Sequence, residues 1–191
     1  MVSKQHPLRS VPAVLGLLAL LVVIPGCPLS PDSDGGGPGP DPRLPPRNTV
    51  TGAVAQYAFV WENQLLPEYE ALLHSDFEFF PQSTDLTDFP WLTGDSWGRT
   101  EEINIARNMF NDDFVSTVNG NSIDSITMTL EVQSQTDTAD GTVVRTHAVA
   151  QVLWAENSGA ISDVRFEFLV VPDPDEPGLY QIKEQRELPL I

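Results

Sequence analysis

The segment "TVVRTHAVAQVLWA", residues 142–155, decides the fold class, because its side chains alternate in character at every second position. A period of two places successive side chains on opposite faces of a β-strand. One face of the predicted strand carries Val144, Thr146, Ala148, Ala150, Val152 and Trp154, and the other carries Arg145 and His147. The segment is therefore predicted to be a long strand with one face toward a core and the other outside it.

Three more alternating segments surround this strand. They are "DSITMTLEVQS" (124–134), "ISDVRFEFLVV" (161–171) and "LYQIKEQREL" (179–188). The stretches "TADG", "ENSG" and "PDPDEPG" separate the four segments, and such Gly, Pro, Asn and Asp clusters are typical of turns between strands. The second half of the chain is therefore predicted to be an antiparallel meander of four strands.

The same alternation sorts the side chains of the later strands. If the aromatic residues point inward, the inner face also carries Phe166, Phe168, Tyr180, Ile182 and Glu184, and the outer face carries Arg165, Glu167 and Lys183 with Arg145 and His147. Opposite charges on neighbouring strands form a cross-strand ladder. We therefore expect the outer face to be a solvated charge ladder or the surface of a homodimer.

Helical spacing precedes the strands. A first helix is predicted from Val50, Val54, Tyr57, Ala58 and Trp61, with Asn48 or Thr49 as its N-cap, and a second, short helix from Leu66, Tyr69 and Leu73, ending at His74. A short strand follows Asp76, and a long loop runs over 82–98. The stretch "RTEEINIARNMF" (99–110) then predicts a third helix with Thr100 as its N-cap and Ile103, Ala106, Met109 and Phe110 on one face.

This order of elements resembles the nuclear transport factor 2-like (NTF2-like, SnoaL-like) superfamily, which includes ketosteroid isomerases, scytalone dehydratase and polyketide cyclases. The motifs that carry the resemblance are "YEALLHSDFEFF" (69–80), "WGRTEEINIARNMF" (97–110) and "GLYQIKEQRE" (178–187). The resemblance implies an α+β fold in which N-terminal helices pack on a curved, mainly antiparallel sheet and leave a conical pocket. It assigns residues 49–191 to one such domain.

The first 26 residues have the pattern of a signal peptide, with Lys4 and Arg9 ahead of an apolar run. The sequence "IPGC" (24–27) at its end resembles the bacterial lipobox, whose cysteine is lipidated and becomes the new N-terminus. This predicts a lipoprotein anchored through Cys27 to a membrane of the bacterial cell envelope, with the outer membrane as the expected location. The alternative is an ordinary secretory signal followed by a free cysteine.

Residues 27–48 are rich in Pro and Gly and predict a disordered tether that is dispensable for folding. The chain has 27 acidic and 10 basic residues and a formal net charge of −17, which argues against nucleic acid as a partner. Its single cysteine excludes a disulfide within the chain and a thiolate metal cluster. No metal-ligand spacing is present, so we expect neither a metal nor a cofactor.

The resemblance places any functional site in the cone. The predicted pocket-lining residues are Tyr57, Trp61, Tyr69, Phe79, Trp91, Phe168 and Tyr180. For catalysis, Asp76 is the candidate base and Tyr57 the candidate donor, with Glu184 as another carboxylate in the cone. Each also has a structural interpretation: Asp76 as a cap at the strand, and Tyr57 as a core residue.

Two functions from different classes follow. The favoured one is a non-catalytic domain at the cell envelope that binds a small apolar ligand or a partner; the alternative is an isomerase or dehydratase acting on a small apolar substrate. A purely structural dimer is a third hypothesis. An open cavity with two convergent ionisable side chains would support the enzyme, whereas a filled cone would remove that hypothesis.

Overall fold

The computed structural model of the chain describes residues 44–111, 113, 115, 120, 122–154 and 158–190. The predicted signal peptide, Cys27 and the tether as far as residue 43 lie outside these residues.

Three α-helices precede the long strands. They are α1 (Val50–Glu62), α2 (Leu66–Leu72) and α3 (Arg99–Met109). Thr49 caps α1, because its hydroxyl oxygen accepts a hydrogen bond from the Gly52 N–H at 3.0 Å. Gly98, without a side-chain cap, precedes α3, so the predicted N-cap at Thr100 is wrong: Thr100 already lies in the first helical turn.

Six strands form one sheet in the order β2-β1-β6-β5-β4-β3. Their bounds are β1 (Leu73–Phe80), β2 (Trp97–Gly98), β3 (Ser125–Asp137), β4 (Thr142–Trp154), β5 (Ser158–Pro172) and β6 (Tyr180–Leu188). All neighbouring strands pair antiparallel except β1 and β6, which are parallel. The second helix ends before His74, where helix was predicted, because the chain enters β1 at Leu73 and pairs there with Ile182 of β6.

The hydrophobic core lies between the helices and the inner face of this curved sheet. Helix α1 contacts β3, β4, β5 and β6. On β4 the predicted alternation is observed, since Val144, Thr146, Ala148, Ala150 and Val152 are all buried. The predicted α+β class, with N-terminal helices packed on a mainly antiparallel sheet, is therefore confirmed.

Charged cross-strand pairs occupy the outer face of β4 and β5. The Arg145 Nε–H donates to the Glu167 carboxylate at 2.7 Å, and His147 Nε2 lies 2.6 Å from an Asp163 carboxylate oxygen. These side chains are partly or fully exposed, and they lie on the face opposite α1. These four side chains therefore do not line the cone.

Arg47, which the sequence places in the tether, belongs to the folded domain. Only 8% of it is exposed, and its guanidinium donates to Asp173 and Glu176 in the turn between β5 and β6. The backbone N–H of Tyr180 donates to the Arg47 carbonyl at 2.9 Å. The predicted boundary at residue 48 therefore cuts through a buried contact, which sequence alone does not reveal because the partners lie more than 120 residues away.

Candidate functional site

A cavity opens between α1, α3 and the inner face of the sheet. Its atom-free space, including the part open to solvent, is about 580 Å³. The wall consists of Tyr57, Trp61, Phe79, Phe89, Trp97, Glu102, Ile105, Met109, Met128, Phe166, Gln185 and Glu187. The lining is predominantly apolar, with two carboxyl groups and one amide as its most polar members.

Glu102 on α3 is the first of the two carboxylates. It is 4% exposed. Its Oε1 accepts a hydrogen bond from the Tyr69 hydroxyl at 2.5 Å, and its Oε2 accepts one from the Trp97 indole N–H at 2.7 Å. Burial raises the pKa of Glu102, and the two hydrogen bonds partly oppose that rise because they stabilise the charged form. Both oxygens are engaged, so Glu102 is held in one orientation.

Glu187 on β6 is the second carboxylate. It is 8% exposed, and its Oε2 accepts a long hydrogen bond, 3.4 Å, from the Gln82 backbone N–H. Burial, with smaller contributions from the Asp85 and Glu102 charges, raises the pKa of Glu187 to about 7. At neutral pH this group is therefore populated in both its acidic and its basic form, as a general acid–base group requires.

The hydroxyls of Tyr57 and Tyr69 lie close to these carboxyl groups. Burial, followed by the Glu102 charge, raises the pKa of both phenols far above the neutral range. Both therefore remain protonated. Tyr57 lines the cavity, whereas Tyr69 lies behind it and supports Glu102.

A β-bulge brings Gln185 and Glu187 into the cavity. The pairing of β6 with β5 shifts between Leu169, opposite Glu184, and Val170, opposite Ile182. One extra residue in a strand turns each side chain that follows it to the opposite face of the sheet. The prediction that Glu184 points into the cone is therefore wrong: Glu184 is only partly buried and accepts a hydrogen bond from Arg186 at 2.7 Å.

Only some of the other predicted site residues line the cavity. Of the predicted pocket aromatics, Tyr57, Trp61 and Phe79 line the cavity. Phe168 is fully buried behind Tyr57, at 5.2 Å between ring centroids. Trp91 is 51% exposed on the loop and Tyr180 is half-buried beside Arg47, so neither lines this cavity.

Asp76, the predicted base, is exposed on β1 away from the cavity. The prediction that the strand follows Asp76 is wrong, because β1 begins at Leu73 and contains Asp76. Its side chain is exposed, whereas Phe77 and Phe79 are buried. The sequence did carry a signal for Glu102, because it shares helical spacing with Ala106 and Met109. All three are buried.

The described residues contain neither a metal-binding cluster nor a membrane-spanning helix. No group of three or more His, Cys, Asp or Glu side chains in this part of the chain is arranged to hold a metal ion. None of the described helices is long and apolar enough to span a membrane.

No protein-family model matches the chain, and no curated protein matches it. Solved structures do match. A candidate aromatic ring hydroxylase from Novosphingobium aromaticivorans is 11% identical, with a TM-score of 0.56, and the match covers 76% of this chain and 89% of that one.

Two further structures agree with this match. A candidate scytalone dehydratase from the same species is 12% identical, with a TM-score of 0.53 and coverage of 72% of this chain and 79% of that one. A nuclear transport factor 2 (NTF2-like) superfamily protein from Salmonella enterica is 12% identical, with a TM-score of 0.50 and coverage of 73% and 87%. The chain therefore has the NTF2-like fold.

Proposed function

We propose that the domain binds a small, mainly apolar ligand in the cone and transfers a proton on it, as an isomerase or dehydratase does. The observation that supports this proposal is the Glu187 carboxyl group, which borders an apolar cavity and has a pKa of about 7. A base of that pKa combines a populated ionised form at neutral pH with useful basicity. The cavity thus has the two convergent ionisable side chains that a non-catalytic cone would not need.

Tyr57 and Glu102 have the other roles in the proposed reaction. In the proposed reaction Glu187 removes a proton from a carbon atom next to a carbonyl group and later returns it. The Tyr57 hydroxyl, which stays protonated because burial raises its pKa, donates to the oxygen on which negative charge develops. Glu102 is fixed by Tyr69 and Trp97 and contributes a nearby negative charge that favours the protonated form of Glu187.

The structural neighbours support the fold of this site and not its chemistry. One of them is a candidate scytalone dehydratase, but at 12% identity that name does not transfer to this chain. The proposal therefore depends on the cavity and its carboxyl groups.

Proton exchange tests the proposal without knowledge of the natural substrate. Small cyclic ketones and enones that bind the domain are incubated with it in D₂O, and loss of the α-proton signals is followed by NMR. We expect exchange to rise with pH around a midpoint near the Glu187 pKa of about 7, and Glu187→Gln to abolish it.

The matched control is Glu184→Gln, which makes the same replacement at an outward-facing position of the same strand. It should retain exchange. If bound ketones exchange no faster than in buffer, the domain is a binding module and the catalytic proposal is wrong.

Anchoring through Cys27 is a second part of the proposal, supported by the lipobox-like "IPGC" (24–27) after an apolar run. Two or more acyl chains give stable membrane attachment where one does not. Membrane-extracted protein should lack residues 1–26 and carry acyl mass, and Cys27→Ser should release the protein or stall its processing. An unmodified Cys27 on a soluble mature chain would contradict this part.

A further inference from the structure

The Gln185 amide is a polar group in the cavity wall whose acceptor is unused. Gln185 is 1% exposed and lines the cavity, and its carbonyl oxygen has no hydrogen-bond partner among the described residues. A buried acceptor without a partner is costly, so such groups in native proteins usually have a function. Gln185 is also carried into the cone by the bulge, two residues from Glu187 on the same face of β6.

The carbonyl oxygen is the end of this amide that remains for a ligand. No donor among the described residues reaches Gln185 Oε1. A ligand with a hydroxyl group could supply the missing hydrogen bond, since a hydroxyl donates and an amide carbonyl accepts.

The rest of the wall restricts the chemistry of that donor. None of the residues that line this cavity is Lys, Arg or His, whereas two are carboxylic acids, so an anionic ligand finds no opposite charge. Aromatic rings form one side: Phe79 stacks on Trp97 at 4.3 Å between centroids, and Phe89 lies 5.2 Å from Trp97. Such a wall favours a flat, uncharged ring system.

We propose that Gln185 is a specificity-determining residue whose carbonyl accepts a hydrogen bond from a hydroxyl group of an uncharged aromatic ligand. This inference rests on the proposed ligand-binding role of the cavity and deepens it. A ligand held in this way has its ring against the aromatic wall. The ring carbons next to its hydroxyl group then lie beside Glu187, which is on the same face of β6 as Gln185. Gln185 thus orients the ligand relative to the group that transfers the proton.

Two probe ligands test the proposal by titration calorimetry at mildly acidic pH. The first, 2-naphthol, can donate a hydrogen bond, and the second, 2-methoxynaphthalene, has the same ring system and cannot donate. We expect the wild type to bind 2-naphthol about tenfold more tightly, the affinity equivalent of one buried hydrogen bond. In Gln185→Leu this preference should disappear, so that the two probes bind with about equal affinity. Gln185→Met takes its place if the leucine variant does not fold.

Thr146→Val is the matched control. Thr146 is fully buried on the inner face and its hydroxyl also has no partner among the described residues, but it does not line the cavity. Its replacement should leave the preference for 2-naphthol unchanged. No preference in the wild type, no binding of 2-naphthol, or the same preference in the Gln185 variants would overturn the proposal.

The same titrations in Glu187→Gln separate this inference from the proposed reaction. If the preference persists in Glu187→Gln but the wild type itself exchanges no ketone, Gln185 selects ligands in a binding module, and only the catalytic proposal fails. If exchange depends on Glu187 but the preference does not depend on Gln185, the catalytic proposal stands and the assignment of Gln185 is wrong.

Discussion

Replacing Glu187 by Gln is expected to stabilise the domain at neutral and alkaline pH. The folded state raises the pKa of this carboxyl from 4.5 to about 7, so between these values the folded state binds more protons than the unfolded state. The stability that Glu187 contributes is then present below about pH 4.5 and is lost as pH rises to about 7. Since one pKa unit corresponds to 1.36 kcal/mol, ionisation of Glu187 destabilises the fold by about 3 kcal/mol.

Urea unfolding of wild type and Glu187→Gln measures this effect. The variant cannot ionise at this position, so its free energy of unfolding relative to wild type should be higher at about pH 8 than at about pH 5, by about 2 to 3 kcal/mol. A constant offset from the change in packing cancels in this comparison. Glu184→Gln, on the solvent side of the same strand, gives the pH dependence to subtract.

An equal difference between Glu187→Gln and wild type at both pH values would refute the raised pKa of Glu187. A smaller advantage of the variant at about pH 8 than at about pH 5 would also contradict it, because a carboxylate that stabilises the fold when it ionises must have a partner that lowers its pKa. The expected gain in stability together with a loss of proton exchange would be the usual signature of a strained functional group.

Three further changes test the packing around the site. Arg47→Met should destabilise the domain by about 3 kcal/mol in urea, because it leaves the Asp173 carboxylate, 6% exposed, without its ionic partner; a loss below about 0.5 kcal/mol would mean that the pair is not formed. A chain that begins at Asn48 should lose a comparable amount relative to the full chain, and equal midpoints would show that the Arg47 contact is dispensable. Trp97→Phe should cost about 2 kcal/mol, the value of a hydrogen bond to a charged group, because Glu102 loses the indole donor at 2.7 Å; an unchanged midpoint would show that this bond contributes nothing.

The sequence predicted those elements whose signal is local. The period of two in β4 identified its buried face, since alternation depends only on the pleat of that strand. The helices, their caps to within a few residues and the meander of the four long strands also follow from spacing and turn residues. The strand at Trp97–Gly98, inside the predicted loop, and the parallel pairing of β1 with β6 do not. The fold class could therefore be predicted, although no family model matches the chain.

Which residues form the site depends on pairing and packing between segments that are distant in sequence. On β6, strict alternation predicts Glu184 in the cone, and the bulge opposite Leu169 and Val170 puts Gln185 and Glu187 there instead. Nothing within β6 marks the bulge, because it is a property of the pairing between two strands. The prediction of Asp76 as the base failed for a different reason: Asp76 lies inside β1, where alternation with the buried Phe77 and Phe79 turns its side chain outward.

Periodicity along the chain thus determined which segments are helices and strands and which strand faces are apolar, because these properties arise from the backbone geometry of each segment. Only the tertiary structure decided which polar residues share the cavity. Glu102, Gln185 and Glu187 meet there because the sheet curves around α1 and α3 and because the pairing of β6 with β5 shifts its register. The pKa of Glu187 is set by that burial and by neighbours distant in sequence, so it does not exist as a property of the sequence until the chain folds.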